Sequence, residues 1–324
     1  MTPSRRAVLA TAGAALLCSY AVLAQEAGRT YRIGILAGAP RQASQWVAFF
    51  DDLEKAGFVE GKNLIVDWRF IVFRSEQNAA LVAELVQLAP DLISCGGKEN
   101  TGIVQAATRT IPIVSVSDDM VAEGLIPSFP HPGGNLTGIS IMATELDGKR
   151  LVILTELVPA SRHIAALADP INTGRPQLEA LQRAARSRGI ELSFYPVHGP
   201  EEIAAALYGA QAAGATTLNV LASPLLYRNR KIILDRSAAL RLPAIYQWPE
   251  TAGEGGFAAY GPRFTKVYRQ LARQGVKVLR GAKPVDIPVE QPTEFELVIN
   301  MKTAAVLGIT IPPSILARAD EVIE

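Results

Sequence analysis

Residues 129–138, FPHPGGNLTG, combine two adjacent glycines with a histidine and a threonine, the ingredients of a phosphate cradle. Glycine loops hold phosphate where they link a strand to a helix N-terminus, because backbone N–H groups converge there. Here the β-branched run LTGISIM follows, and Asn135 stands where a Walker sequence has its lysine. The pattern predicts a tight turn at Pro132, Gly133 and Gly134 that feeds a strand and enters a hinge. Other catalytic signatures are also missing. There is no G-x-S-x-G elbow, and GILAGAP has the wrong spacing for a dinucleotide fingerprint. His131, His163 and His198 are isolated, without metal-ligand spacing, and none lies near Cys95 in sequence. No catalytic residue, metal or cofactor is expected, and the chain reads as a non-enzyme.

What remains are polar and glycine-rich positions at predicted strand ends, where open parallel sheets bind ligands. The first half of the chain offers Gly38, Arg41 and Gln42, then Gly96, Gly97 and Asn100, then Ser117 and Asp119. The second half offers Asp169 and Asn172, then Ser223, then Tyr246 and Trp248. Gly96-Gly97 either brings backbone N–H groups to a ligand carboxylate or is a plain turn. Asp118 or Asp119 either meets an ammonium or is a solvated loop acid. Trp248 either stacks on an aromatic ligand or packs between lobes. Lys98-Glu99 reads as an exposed ion pair of small energetic weight.

The elements that must position these residues are legible in hydrophobic periodicity. Strands are predicted at 31–37, 63–70, 91–95 and 111–117. Trp46, Phe49, Phe50 and Leu53 mark one face of the first intervening helix; Ala79 to Leu88 form the next, and a third runs through Ala107. A second series has strands at 163–169, 191–197, 217–223 and 243–248, with Gly189 ending the helix Pro176 to Arg188. Alternation of this kind implies parallel sheets covered by helices on both faces. Gly- and Pro-flanked segments at 131–141, 255–262 and 286–295 predict three crossings between two α/β lobes, with Arg263 to Gly281 returning to the first. The lobes then comprise 30–138 plus 262–287 and 139–261 plus 288–324.

Length and charge bound the remaining options. A chain of 324 residues exceeds what one hydrophobic core serves, and a net charge of +1 gives no footprint for nucleic acid. Arg5-Arg6, the apolar run Ala7 to Leu17 and Val22-Leu23-Ala24 predict an export signal at residues 1–24, cleaved near Ala24. The run is short and alanine-rich for a membrane span. The Arg pair loosely fits a twin-arginine signal, and the residues before Cys18 make a poor lipobox. Cys95 is then the lone cysteine of the mature chain and reads as a small buried hydrophobe.

Three segments carry a resemblance that spans the mature chain: HPGGNLTG, FVEGKNLIVDWRF and VEQPTEFELVINMKTAAVLGITIPPSILARADEVIE. They are similar to substrate-binding proteins of ABC transporters of the tryptophan/tyrosine type. The resemblance implies a periplasmic-binding-protein-like type I fold, two Rossmann-like lobes joined by a three-strand hinge and closing on a solute. It also implies an exported, periplasmic receptor that docks on a membrane permease. By position, Asp119, Asn172 and Tyr246 match the family pattern. Met120 replaces a usual proline, and Gly96-Gly97-Lys98-Glu99 replaces a Ser/Pro/Ala-rich loop. Gln247-Trp248 also departs from the common continuation. The expected solute is a small carboxylate-bearing molecule, an amino acid or aromatic acid, taken by a monomer. The competing readings are a periplasmic enzyme using the same cleft and a sugar-repressor-like regulator; the latter would need a DNA-binding helix pair where the export signal stands.

Overall fold

The computed structural model describes residues 28–71 and 76–324, so the export signal read at 1–24 lies outside the described residues. The first lobe begins β1 (Tyr31–Ala37), α1 (Ser44–Lys55), β2 (Leu64–Phe70) and α2 (Gln77–Gln87). It continues β3 (Leu92–Gly96), α3 (Lys98–Ala107), β4 (Ile113–Ser117) and β5 (Leu136–Ser140). These five strands form one parallel sheet in the order β2-β1-β3-β4-β5.

The second lobe follows with α4 (Ala143–Leu157), β6 (His163–Ala168), α5 (Arg175–Arg186), β7 (Glu191–Pro196) and α6 (Pro200–Ala212). Next come β8 (Thr217–Val220), α7 (Pro224–Arg228), α8 (Arg230–Ala239), β9 (Ala244–Tyr246), α9 (Pro249–Gly253) and β10 (Ala258–Gly261). The chain then returns as α10 (Phe264–Leu279), which packs against α1 and against β3, β4 and β5. It ends with β11 (Glu296–Asn300), α11 (Met301–Leu307), α12 (Pro313–Leu316) and β12 (Glu321–Ile323). The second sheet runs β12-β11-β10-β9-β8-β6-β7 and is parallel except for the β10–β11 pair.

Both faces of each sheet are buried, which explains why the strands read as continuous apolar runs. In lobe one, Ile33 and Ile35 pack with Phe49 and Leu53 on one face, while Leu36, Val82 and Ile93 fill the other. Lobe two divides in the same way, with Ile164 and Ile245 on one side and Leu167 and Leu218 on the other.

The glycine loop at 131–134 lies at the N-terminal end of β5. Asn135 ties it down by donating its side-chain amide to the carbonyls of Thr108 (3.1 Å) and Ile111 (2.7 Å). Within β5, Gly138 has φ +145°, and a Cβ there would run into the Ser115 backbone of β4. Three connections join the lobes: β5 to α4, β10 to α10, and the segment before β11. The last runs beside β5, where Ser140 N–H donates to the Glu290 carbonyl (2.9 Å) and Glu290 N–H donates to that of Gly138 (3.0 Å). β5 thus carries the first sheet to Ser140, past the boundary at 138 read from the sequence.

Candidate functional site

Strand ends from both sheets border a cavity of about 380 Å³ between the lobes. Lobe one contributes the turn from β3 into α3. Gly97 caps this helix at φ +81°, and a Cβ there would stand 3.0 Å from Pro224 of lobe two, so glycine permits both the turn and the close approach of the lobes. The Gly97 N–H is committed to the Val116 carbonyl at 2.8 Å. The N–H groups of Lys98, Glu99 and Asn100, in the first turn, donate to no other group among the described residues. N–H groups left open at a helix start can receive an anion.

Asp118 follows β4 and faces the same cavity. Its carboxyl accepts no hydrogen bond among the described residues. Burial between the lobes pushes its pKa well above the usual carboxylate range, reinforced by Glu123, Asp147 and Asp169 and only partly offset by Arg150. Arg150 is fully buried and already engaged: it pairs with Asp147 and donates to the Tyr260 carbonyl at 3.1 Å. An ammonium entering the cavity would supply the counter-charge that Asp118 lacks.

The opposite wall is aromatic. Trp46 of α1 meets Trp68 and Tyr268 edge-on, with ring centroids 5.0 and 4.9 Å apart. Tyr268 meets Phe264 at 4.9 Å, and Phe264 meets Trp248 at 4.1 Å and Tyr227 at 4.8 Å. The contacts run from lobe one into lobe two without a break. Glu250 fixes the start of α10, and hence Phe264, by accepting the Phe264 N–H at 2.9 Å. Burial pushes the Tyr268 phenol above its usual range, so it remains a neutral hydroxyl.

In lobe two, Asp169 acts from behind the cavity wall. It accepts Asn172 Nδ2 at 2.6 Å and the Ser223 hydroxyl at 2.8 Å, holding both against the cavity. Ser223 also caps α7, accepting the N–H groups of Leu225 (3.0 Å) and Leu226 (3.3 Å). Arg228, at the end of α7, reaches across the mouth to lobe one. It donates to the Ile71 carbonyl at 3.3 Å and lies 5.2 Å over the Phe70 ring. Arg230 is engaged with Glu254 through two hydrogen bonds, at 2.6 and 2.9 Å.

Eight of the residues singled out from sequence line this cavity. Gly38, Gly96, Gly97, Asn100 and Ser117 come from lobe one; Asn172, Ser223 and Trp248 come from lobe two. Five do not. Arg41 is turned to Glu60 and stacks over Phe50, and Gln42 is exposed outside the cavity. Asp119 caps its own turn by accepting the Ala122 N–H at 3.0 Å, leaving Asp118 as the cavity acid. Tyr246 is buried in the lobe-two core, its hydroxyl 3.3 Å from that of Ser237. Asp169 lies behind the wall, where it holds Asn172 and Ser223. Ser117 is spent on Glu123, to which it donates. The sequence reading missed Gln45, Trp46, Tyr227, Arg228, Phe264 and Tyr268. All sit on helices, and attention to the first turns of the helices after β1 and β10 would have found Gln45, Trp46 and Phe264, with Tyr268 one turn further on.

Two α/β lobes, three connecting segments and a cleft at facing strand ends define a periplasmic-binding-protein-like type I fold. Residues 40–323 match the sequence profile of the family described as ABC transporter substrate binding protein, and the chain belongs to that family. A tyrosine-binding protein of Clostridioides difficile (strain R20291) is 24% identical over 262 residues, covering 80% of this chain and 75% of that protein. An ABC domain from Streptococcus pneumoniae, solved with L-Trp, shares 23% identity and superposes with a TM-score of 0.83, covering 91% of this chain and 100% of that one. A conserved domain protein from Vibrio cholerae gives 0.84 at 23% identity, again over 91% and 100% of the two chains. Among the described residues no helix is long and apolar enough to cross a membrane.

Proposed function

We propose that this protein is the extracytoplasmic receptor of an ABC importer, and that it takes a small α-amino acid with an aromatic side chain between its lobes. One observation carries the reading: the cavity between the lobes sets a carboxyl without a hydrogen-bond partner among the described residues and an open helix start against a continuous aromatic wall. The N–H groups of Lys98, Glu99 and Asn100 receive the solute carboxylate, Asp118 takes its ammonium, and the ring lies along Trp46, Tyr268, Phe264 and Trp248. Asn172 and Ser223 close the site from lobe two. The tyrosine and L-Trp named for two relatives agree with this chemistry. Export through residues 1–24 would bring the receptor to the periplasm, where the closed form meets the permease.

A thermal-shift panel of amino acids and aromatic acids tests the proposal. A ligand at 100 times its dissociation constant adds about 2.7 kcal/mol of stability. L-Tyrosine or L-tryptophan should raise the melting temperature, and their amides and decarboxylated amines should not. Stabilisation only by solutes without a carboxylate would overturn the assignment.

A further inference from the structure

We infer that Gln45 and Gln247 are specificity-determining residues that select a ring bearing a hydrogen-bonding group, a phenol or an indole, over a plain hydrocarbon ring. The inference rests on the aromatic amino-acid reading above and goes beyond it, from the class of solute to the feature that discriminates within the class. Each glutamine immediately precedes a tryptophan of the aromatic wall, Gln45 before Trp46 and Gln247 before Trp248, and the two come from opposite lobes. Both line the cavity and are nearly sealed from solvent, at 4% and 5% exposure. Neither side chain makes a hydrogen bond among the described residues, where the Gln247 Nε2 is also buried.

A primary amide offers two donors and two acceptor lone pairs, and neither of these amides is satisfied within the described residues, the Gln247 Nε2 being buried as well. Leaving such a group buried and unpaired is costly, whereas pairing it restores most of what desolvation removed. The head of an amino acid is already provided for by the first turn of α3 and by Asp118. The amides beside the wall tryptophans are therefore left for the ring. The Gln247 backbone has little freedom to withdraw, because its carbonyl lies against Gly261, where a Cβ would collide with it. A phenol hydroxyl can donate to and accept from an amide, and an indole N–H can donate to one; a benzene or naphthalene ring satisfies neither. Sites built this way reject the analogue that lacks the polar group, because their own buried groups are then left unpaired.

Calorimetric titrations of the mature protein test this with two matched pairs, L-tyrosine against L-phenylalanine and L-tryptophan against L-3-(1-naphthyl)alanine. In at least one pair the polar ring should bind about 10- to 100-fold more tightly. Gln45→Leu and Gln247→Leu should each shrink that ratio by about 10-fold while retaining or improving binding of the hydrocarbon ring, which also shows that the variants fold. Equal affinities within both pairs for the wild-type protein would overturn the inference and leave the amino-acid reading standing. An undiminished ratio in both variants would likewise overturn it. Failure of all four probes to bind would bring down the underlying reading, and the inference with it.

Discussion

Replacing Asp118 by asparagine should weaken ligand binding and stabilise the empty protein at the same time. The change keeps the side-chain shape and removes only the charge. For binding, a charge-assisted hydrogen bond contributes about 1.5–3 kcal/mol, so Asp118→Asn should raise the dissociation constant of an ammonium-bearing solute about 10- to 150-fold. For stability, the sign follows from the direction of the pKa shift. The folded-state pKa of Asp118 is raised, first by burial and then by Glu123, Asp147 and Asp169. The folded protein therefore holds this proton more tightly than the unfolded chain does. The associated stability is complete below the ordinary carboxylate value near 4 and is lost as pH rises through the higher folded value. Asparagine cannot ionise, so the variant escapes that loss, and its melting temperature should gain on the wild type as pH rises. Ammonium binding favours the ionised acid, so wild-type affinity should increase with pH over the same window and the variant's should stay flat. Calorimetry and thermal melts from pH 4 to 7.5 supply both readouts. Unchanged affinity in the variant, with a wild-type pH profile, would refute the placement of Asp118 against the ammonium.

Arg228→Ala removes the contact with Ile71 across the cavity mouth; because the group is exposed, the expected effect is about 1 kcal/mol, read by stopped-flow fluorescence as roughly fivefold faster ligand release. Tyr246→Phe should leave affinity unchanged and cost about 1 kcal/mol of stability in denaturant titrations, since the hydroxyl pairs with that of Ser237 in the lobe-two core. Gly138→Ala should destabilise lobe one by about 2 kcal/mol or more, because its Cβ meets the Ser115 backbone, which cannot move aside as a side chain can. Mature protein from the native host should begin near Gln25 and fractionate outside the inner membrane, which N-terminal sequencing checks directly.

The two-lobed architecture was legible because parallel strands buried on both faces leave unbroken apolar runs, such as IVSVS in β4, punctuated by helices with one apolar face. The same burial hid the site's polarity. With every residue of β4 enclosed, alternation offers no cue to which of Asp118 and Asp119 faces the cavity; the turn beyond the strand decides, through the Asp119 cap on Ala122. Tyr246 was misplaced for a related reason. It is the last residue of β9 and points to the helix-covered core, while Gln247 and Trp248 just beyond it meet the cavity. The aromatic wall was invisible as a unit, since its members come from α1, α7, α10 and a strand end far apart in sequence. Trp46 looked like an ordinary core residue because it is one: it is 2% exposed and packs with Phe49 as well as with Tyr268.

The most direct test of the account is a crystal structure of the mature protein with bound L-tyrosine or L-tryptophan. The account predicts one molecule between the lobes, its carboxylate at the N-terminus of α3, its ammonium on Asp118 and its ring along Trp46, Tyr268, Phe264 and Trp248. A solute bound elsewhere, or one whose ring turns toward Asp118 while its carboxylate lies on the aromatic wall, would contradict it.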